Sequence, residues 1–63
     1  MVINGKKHEF SEQKLSELLD HMKINSKNVV VEVNGEIIEK KNFDNLLVNY
    51  QDQLEIVTFV GGG

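Results

Sequence analysis

Val29-Val30-Val31-Glu32-Val33-Asn34-Gly35-Glu36 is the stretch on which the fold turns. Val29, Val31 and Val33 alternate with Val30 and Glu32, the period of a β-branched strand with one face more buried than the other. Asn34-Gly35 follows as a hairpin signal, because both residues tolerate positive φ at little cost. Glu36 to Glu39 is then expected to return as a short strand. Upstream, the polar run Asn25 to Asn28 separates this hairpin from a different period. Leu15, Leu18, Leu19 and Met22 recur at i, i+3, i+4 and i+7, which predicts one apolar stripe on a helix of about three turns. Ser11 is the expected N-cap, and Glu12 sits in the first turn, where the helix dipole favours negative charge.

Further out, Met1 to Asn4 reads as a strand, Asn4-Gly5 as a second turn pair and Lys7 to Phe10 as a returning strand. On the other side, Lys40 to Asn45 suits a turn or one helical turn that carries Phe43 inward. Leu54 to Val60 is the last strand, with Leu54 and Ile56 on one face and Val57 and Phe59 on the other. Gly61, Gly62 and Gly63 run off its end. The order is β β α β β β, with one main helix that must cover one face of a mixed sheet of four to five strands. The first and last strands side by side in parallel, as the helix crossover permits, make this α+β chain a β-grasp, the ubiquitin-like architecture. The expected organisation is one β-grasp domain over residues 1–60, followed by a flexible glycine tail over 61–63.

Size and charge narrow the function. At 63 residues, only roughly 60% of the surface is buried on folding, so stability is marginal and no core residue is spare. There is no cysteine, which excludes a disulfide framework, a side-chain thiol nucleophile and thiolate metal ligation. Seven basic against ten acidic residues give a net charge of −3. That balance argues against nucleic acid as a partner and for a basic partner surface. The longest apolar run, Val29 to Val31, is far short of the roughly 20 residues that span a bilayer, and the start MVINGKKHEF lacks a secretory pattern. The expectation is a soluble cytoplasmic protein, without membrane attachment and monomeric when free.

The segment Asp52-Gln53-Leu54-Glu55-Ile56-Val57-Thr58-Phe59-Val60-Gly61-Gly62-Gly63 strongly resembles the C-terminus of the ThiS family, the sulfur carriers of thiamine biosynthesis. Val33-Asn34-Gly35-Glu36, the aromatic Phe43 and the aliphatic Val48 agree with it. The resemblance implies a carrier that is a co-substrate and not an enzyme. It implies that the C-terminal carboxylate of Gly63 is adenylated at the expense of ATP and converted to a thiocarboxylate. The implied partners are an E1-like (ThiF-like) adenylating enzyme, a cysteine desulfurase as sulfur source and thiazole synthase (ThiG-like) as acceptor, with no cofactor bound by the carrier itself. The small subunit of molybdopterin synthase uses the same tail chemistry. A protein modifier or a plain interaction module are alternatives of other classes.

Glycine suits such a tail: without Cβ it threads a narrow channel and adopts φ values closed to other residues. Gly61 and Gly62 are therefore assigned to threading and Gly63 to the reaction. Val57, Phe59, Val60 and Val30 are expected to form an apolar docking patch beside the tail. His21 lies four residues after Glu17, a spacing compatible with two metal ligands. No third ligand accompanies them, so a solvated helix face is the better reading and no metal is expected. His8 and Glu9 are read likewise, and Lys6, Lys7, Lys40 and Lys41 as solubilising charges.

Overall fold

The computed structural model describes residues 1–59. Its main sheet has five strands: β1 (Val2–Ile3), β2 (Lys6–Lys7), β4 (Val29–Val33), β5 (Glu36–Ile38) and β7 (Gln53–Thr58), in the order β2-β1-β7-β4-β5. β7 pairs in parallel with β1, placing Val2 opposite Gln53 and Ile3 opposite Leu54. It pairs antiparallel with β4, from Val33 opposite Leu54 to Val29 opposite Thr58. The last strand of the chain is thus the middle strand of the sheet. Helix α1 (Leu15–His21) contributes the fully buried Leu15, Leu18 and Leu19. They share one core with Val29, Val31, Val33, Leu54 and Ile56, and with Phe43, which is buried as its sequence context predicts. Phe10, Met22 and Ile24 close its rim, half-buried. Met1, Ile3 and Val48 complete it, three positions the pattern did not single out.

Both Asn-Gly pairs form the expected turns. Asn4 and Gly5 have φ of 53° and 79°, Asn34 and Gly35 of 52° and 85°, the positive values at both central residues that the tightest hairpins require. Other boundaries differ. The first hairpin closes after Lys7, so Lys7 to Phe10 is not a strand. Helix α1 has seven residues and begins later than predicted. Its N-cap is Lys14, not Ser11, because residues 13–14 are already occupied: β3 (Gln13–Lys14) pairs antiparallel with β6 (Leu47–Val48) in a second, two-stranded sheet. The first free N–H groups of the helix then find tertiary acceptors. Leu15 donates to the Leu46 carbonyl at 2.9 Å and Ser16 to the Phe43 carbonyl at 3.0 Å. Glu17 accepts from the Lys14 N–H at 3.0 Å, the carboxylate half of a capping box.

The helix stops where Lys23 adopts φ 59°. Ile24 N–H donates to the Leu19 carbonyl and Lys23 N–H to that of Asp20. This pair of bonds is a Schellman motif, with lysine in the position that usually holds glycine and Ile24 as its apolar contact. Asn25 next accepts from the Lys27 N–H and opens a 3-10 turn over Ser26–Asn28, which delivers the chain into β4. A second such turn, Lys40–Asn42, delivers Phe43 to the core.

Candidate functional site

The strand that leads to the glycines is held by main-chain bonds whose direction alternates along it. Odd-numbered residues of β7 face β4: Gln53 accepts from the Asn34 N–H at 2.7 Å, and Phe59 N–H donates to the Asn28 carbonyl at 3.0 Å. Even-numbered residues face β1: Asp52 accepts from Val2 at 3.1 Å and Leu54 from Asn4 at 2.9 Å. β1 ends at Ile3, yet pairing continues for one further residue. The Asn4 side chain donates through Nδ2 to the Ile56 carbonyl at 3.0 Å and accepts the Ile56 N–H at Oδ1 at 2.7 Å. An amide side chain thus supplies the donor and acceptor that another strand residue would have supplied.

The second turn asparagine holds the start of β7. Asn34 Oδ1 accepts from the Gln53 N–H at 2.9 Å, and its Nδ2 donates to Asp52 at 3.0 Å. Asp52 also accepts from the Asn49 N–H at 2.9 Å, tying the preceding turn to the same point. The start of this strand and its middle, at Ile56, are therefore each held by the side chain of an Asn-Gly turn.

Side-chain alternation gives β7 two unlike faces. Leu54 and Ile56 are buried under the helix. On the opposite face of the sheet Val57 is 60% exposed, Phe59 47% and Val30 41%, and Val57 stands directly opposite Val30. These are three of the four residues of the expected docking patch, and the structure leaves all three open to solvent. Ile37, 66% exposed, lies on the same face by register through Glu32. The sequence did not expose it as a site residue, because a short return strand carries too little alternation to reveal its faces. Glu32 and Glu55 stand opposite each other between Ile37 and the Val30–Val57 pair. The face is therefore apolar with an acidic centre, in keeping with a basic partner surface. Val60, Gly61, Gly62 and Gly63 lie outside the described residues.

Three of the remaining polar candidates, Glu17, His21 and His8, make contacts within the fold. Glu17 caps the helix, while His21 stacks at 6.4 Å on Phe10, whose other side stacks at 5.6 Å on His8. Among the described residues no group of acidic and histidine side chains could hold a metal ion, and no helix is long and apolar enough to cross a membrane.

The family model described as the ThiS family matches residues 1–63. A thiamine biosynthesis protein (ThiS) from Geobacter metallireducens, solved by crystallography, superposes with a TM-score of 0.79 at 35% identity, covering 98% of this chain and 96% of that one. A thiazole synthase of Paramagnetospirillum magneticum is 44% identical over 64 residues. That match takes in all of this chain but 20% of the relative, so the chain spans about a fifth of that protein's length. An uncharacterized protein of Porphyra purpurea, ycf40, is 37% identical over 97% of this chain and 87% of its own length.

Proposed function

This chain belongs to the ThiS family, and on that premise we propose that it is a sulfur carrier for the thiazole of thiamine, acting through the carboxylate of Gly63. The observation that carries the proposal is the fixed central strand β7, bonded on both sides as far as Ile56 and leading directly to Gly61-Gly62-Gly63.

The chemistry follows from the terminal group. An α-carboxyl group ordinarily titrates near pH 3.5, so at neutral pH it is ionised and unreactive toward a sulfur nucleophile. Attack of a carboxylate oxygen on the α-phosphorus of ATP, within an E1-like enzyme, expels pyrophosphate and leaves an acyl-adenylate. The terminal sulfur of a persulfide, drawn from cysteine by a desulfurase, then attacks the carbonyl carbon and AMP departs. A second thiol of the enzyme attacks the donor cysteine's sulfur in the resulting acyl disulfide, forms a disulfide with it and expels the thiocarboxylate, and a thiol reductant returns that disulfide to the two thiols. Thiazole synthase is the proposed acceptor, a role consistent with the relative of that name that includes a segment similar to this whole chain. The carrier supplies no catalytic side chain. Its contribution is position: a rigid strand sets where the tail begins, and glycines without Cβ let the carbonyl approach phosphate and sulfur closely. Ordering three glycines costs entropy, which favours release between successive partners.

Deleting Gly62 and Gly63 tests this. The deletion should change stability by no more than about 0.5 kcal/mol. It should abolish ATP-pyrophosphate exchange with the activating enzyme, because the carboxylate withdraws by up to roughly 7 Å from the ATP. Intact mass of the wild-type chain should show one oxygen replaced by sulfur. Full exchange and sulfur loading by the shortened chain would refute Gly63 as the reactive end, and covalent adducts on lysines of other proteins would favour a modifier instead.

A further inference from the structure

Following the bonds of β7 to their end leaves one position without a neighbour. Even-numbered residues of this strand direct their N–H and C=O toward the β1 side. Leu54 is met there by the Asn4 main chain and Ile56 by the Asn4 side chain. The next residue in that series is Thr58. It stands opposite Val29, one residue before the bond from Phe59 to Asn28. Bonded and non-bonded pairs alternate in an antiparallel ladder, so Val29–Thr58 is a non-bonded pair and the Thr58 N–H and C=O point away from β4. On the β1 side the chain has already turned back at Asn4-Gly5, and among the described residues nothing meets them.

Bare strand edges invite pairing, and proteins usually blunt them with charge, shortness or a covering group. Most of this sheet's edge is short, charged or covered. Strand β2, one outer edge, is two residues long and both are lysine. Strand β5, the other, has three residues, begins with Glu36 and is followed by Glu39. Ile56, on the same edge as Thr58, is covered by the Asn4 amide. Thr58 has neither a charged side chain nor a covering group, and unlike Ile37 on the far edge it adjoins the exposed Val57 and Phe59 on the strand that leads to the glycines.

We infer that Thr58 opens a strand-addition site: an extended segment of the protein that receives the tail pairs its main chain with the Thr58 N–H and C=O. Main-chain pairing would fix the partner segment's direction and register on β7, while the Val57, Phe59 and Val30 face supplies apolar contact. Asn4 then acts as a positioning residue, because it covers Ile56 and so makes Thr58 the first position open to the partner. The identity of the partner rests on the carrier reading, but the edge itself does not.

Purified thiazole synthase is the probe, with the full chain. In the free protein the Thr58 amide should exchange with solvent as fast as an exposed loop amide, and in the complex its exchange should slow at least tenfold. Thr58→Pro removes the N–H at an outward-facing edge position, where proline is tolerated. It should keep the fold, judged by its melt, and weaken binding at least tenfold. Thr58→Ala keeps the N–H and should bind within about twofold of wild type. Equal binding by Thr58→Pro, equal loss in both variants, or a Thr58 amide already protected in the free monomer would overturn the inference. So would protection that appears with rising carrier concentration alone, together with dimers in sedimentation, since the occupant would then be a second copy. Sulfur loading of the wild-type chain is measured separately. Loading with an unprotected Thr58 in the complex defeats this inference alone, whereas no loading and no binding defeats the carrier reading as well.

Discussion

From Gln53 to Ile56, β7 is bonded along both edges and roofed by the helix; from Val57 to Phe59 it is bonded along one edge and turns apolar side chains to solvent. The halves share a strand and a register, and alternation of faces runs through both. What separates them is the length of the neighbours. β1 stops at Ile3, and the Asn4 side chain extends its reach by one residue. A strand that belongs to the core in one half and is exposed in the other is thus divided by where its partner strand ends.

The contrast can be broken most forcefully in its buried half. Ile56→Ala should cost about 2 to 5 kcal/mol in denaturant melts, since a buried branched side chain leaves a cavity under the helix. A loss below about 0.5 kcal/mol, the range of surface sites, would contradict the placement of Ile56. Asn4→Gly is gentler, because glycine keeps the positive φ while removing both bonds to Ile56. It should cost about 1 to 2 kcal/mol and should speed exchange of the Ile56 amide specifically. Unchanged Ile56 exchange would mean that the strand edge is held by something other than the asparagine. In the open half, Phe59→Ala should leave stability within about 0.5 kcal/mol of wild type yet weaken association with the activating enzyme, the pattern of an exposed aromatic anchor. If folding and binding fell together, Phe59 would belong to the buried half.

Much of this was legible in the sequence because the governing signals are local. Val29, Val31 and Val33 and the Leu15, Leu18, Leu19 stripe declare their periods within a few residues. Asn4-Gly5 and Asn34-Gly35 declare their turns in two. The pairing of Gln13–Lys14 with Leu47–Val48 was not legible, since two-residue strands have no period. That pairing displaces the helix start from Ser11, a good cap in isolation, to Lys14, where carbonyls of Phe43 and Leu46 take over the capping role. At the candidate site, the apolar Val57 and Phe59 could be read from alternation, whereas the bond of Asn4 to Ile56 spans 52 residues and leaves no mark in either neighbourhood. An asparagine in a turn pair advertises only its turn. Its second role depends on the strand that happens to pass beside it.

The central position of β7 also bears on how the molecule is made. Its neighbours β1 and β4 are synthesised earlier, but neither pairs with the other, and β7 alone joins them. Pairings this distant in sequence form late and slowly, because chain entropy must be lost before any contact repays it. A nascent chain that stops short of β7 therefore has two hairpins that nothing joins into one sheet and a core without Leu54 and Ile56. It would present the exposed, unpaired segments that cellular quality control removes. Folding itself thereby selects for completeness: a copy that has reached the native state already holds the strand from which the glycines extend.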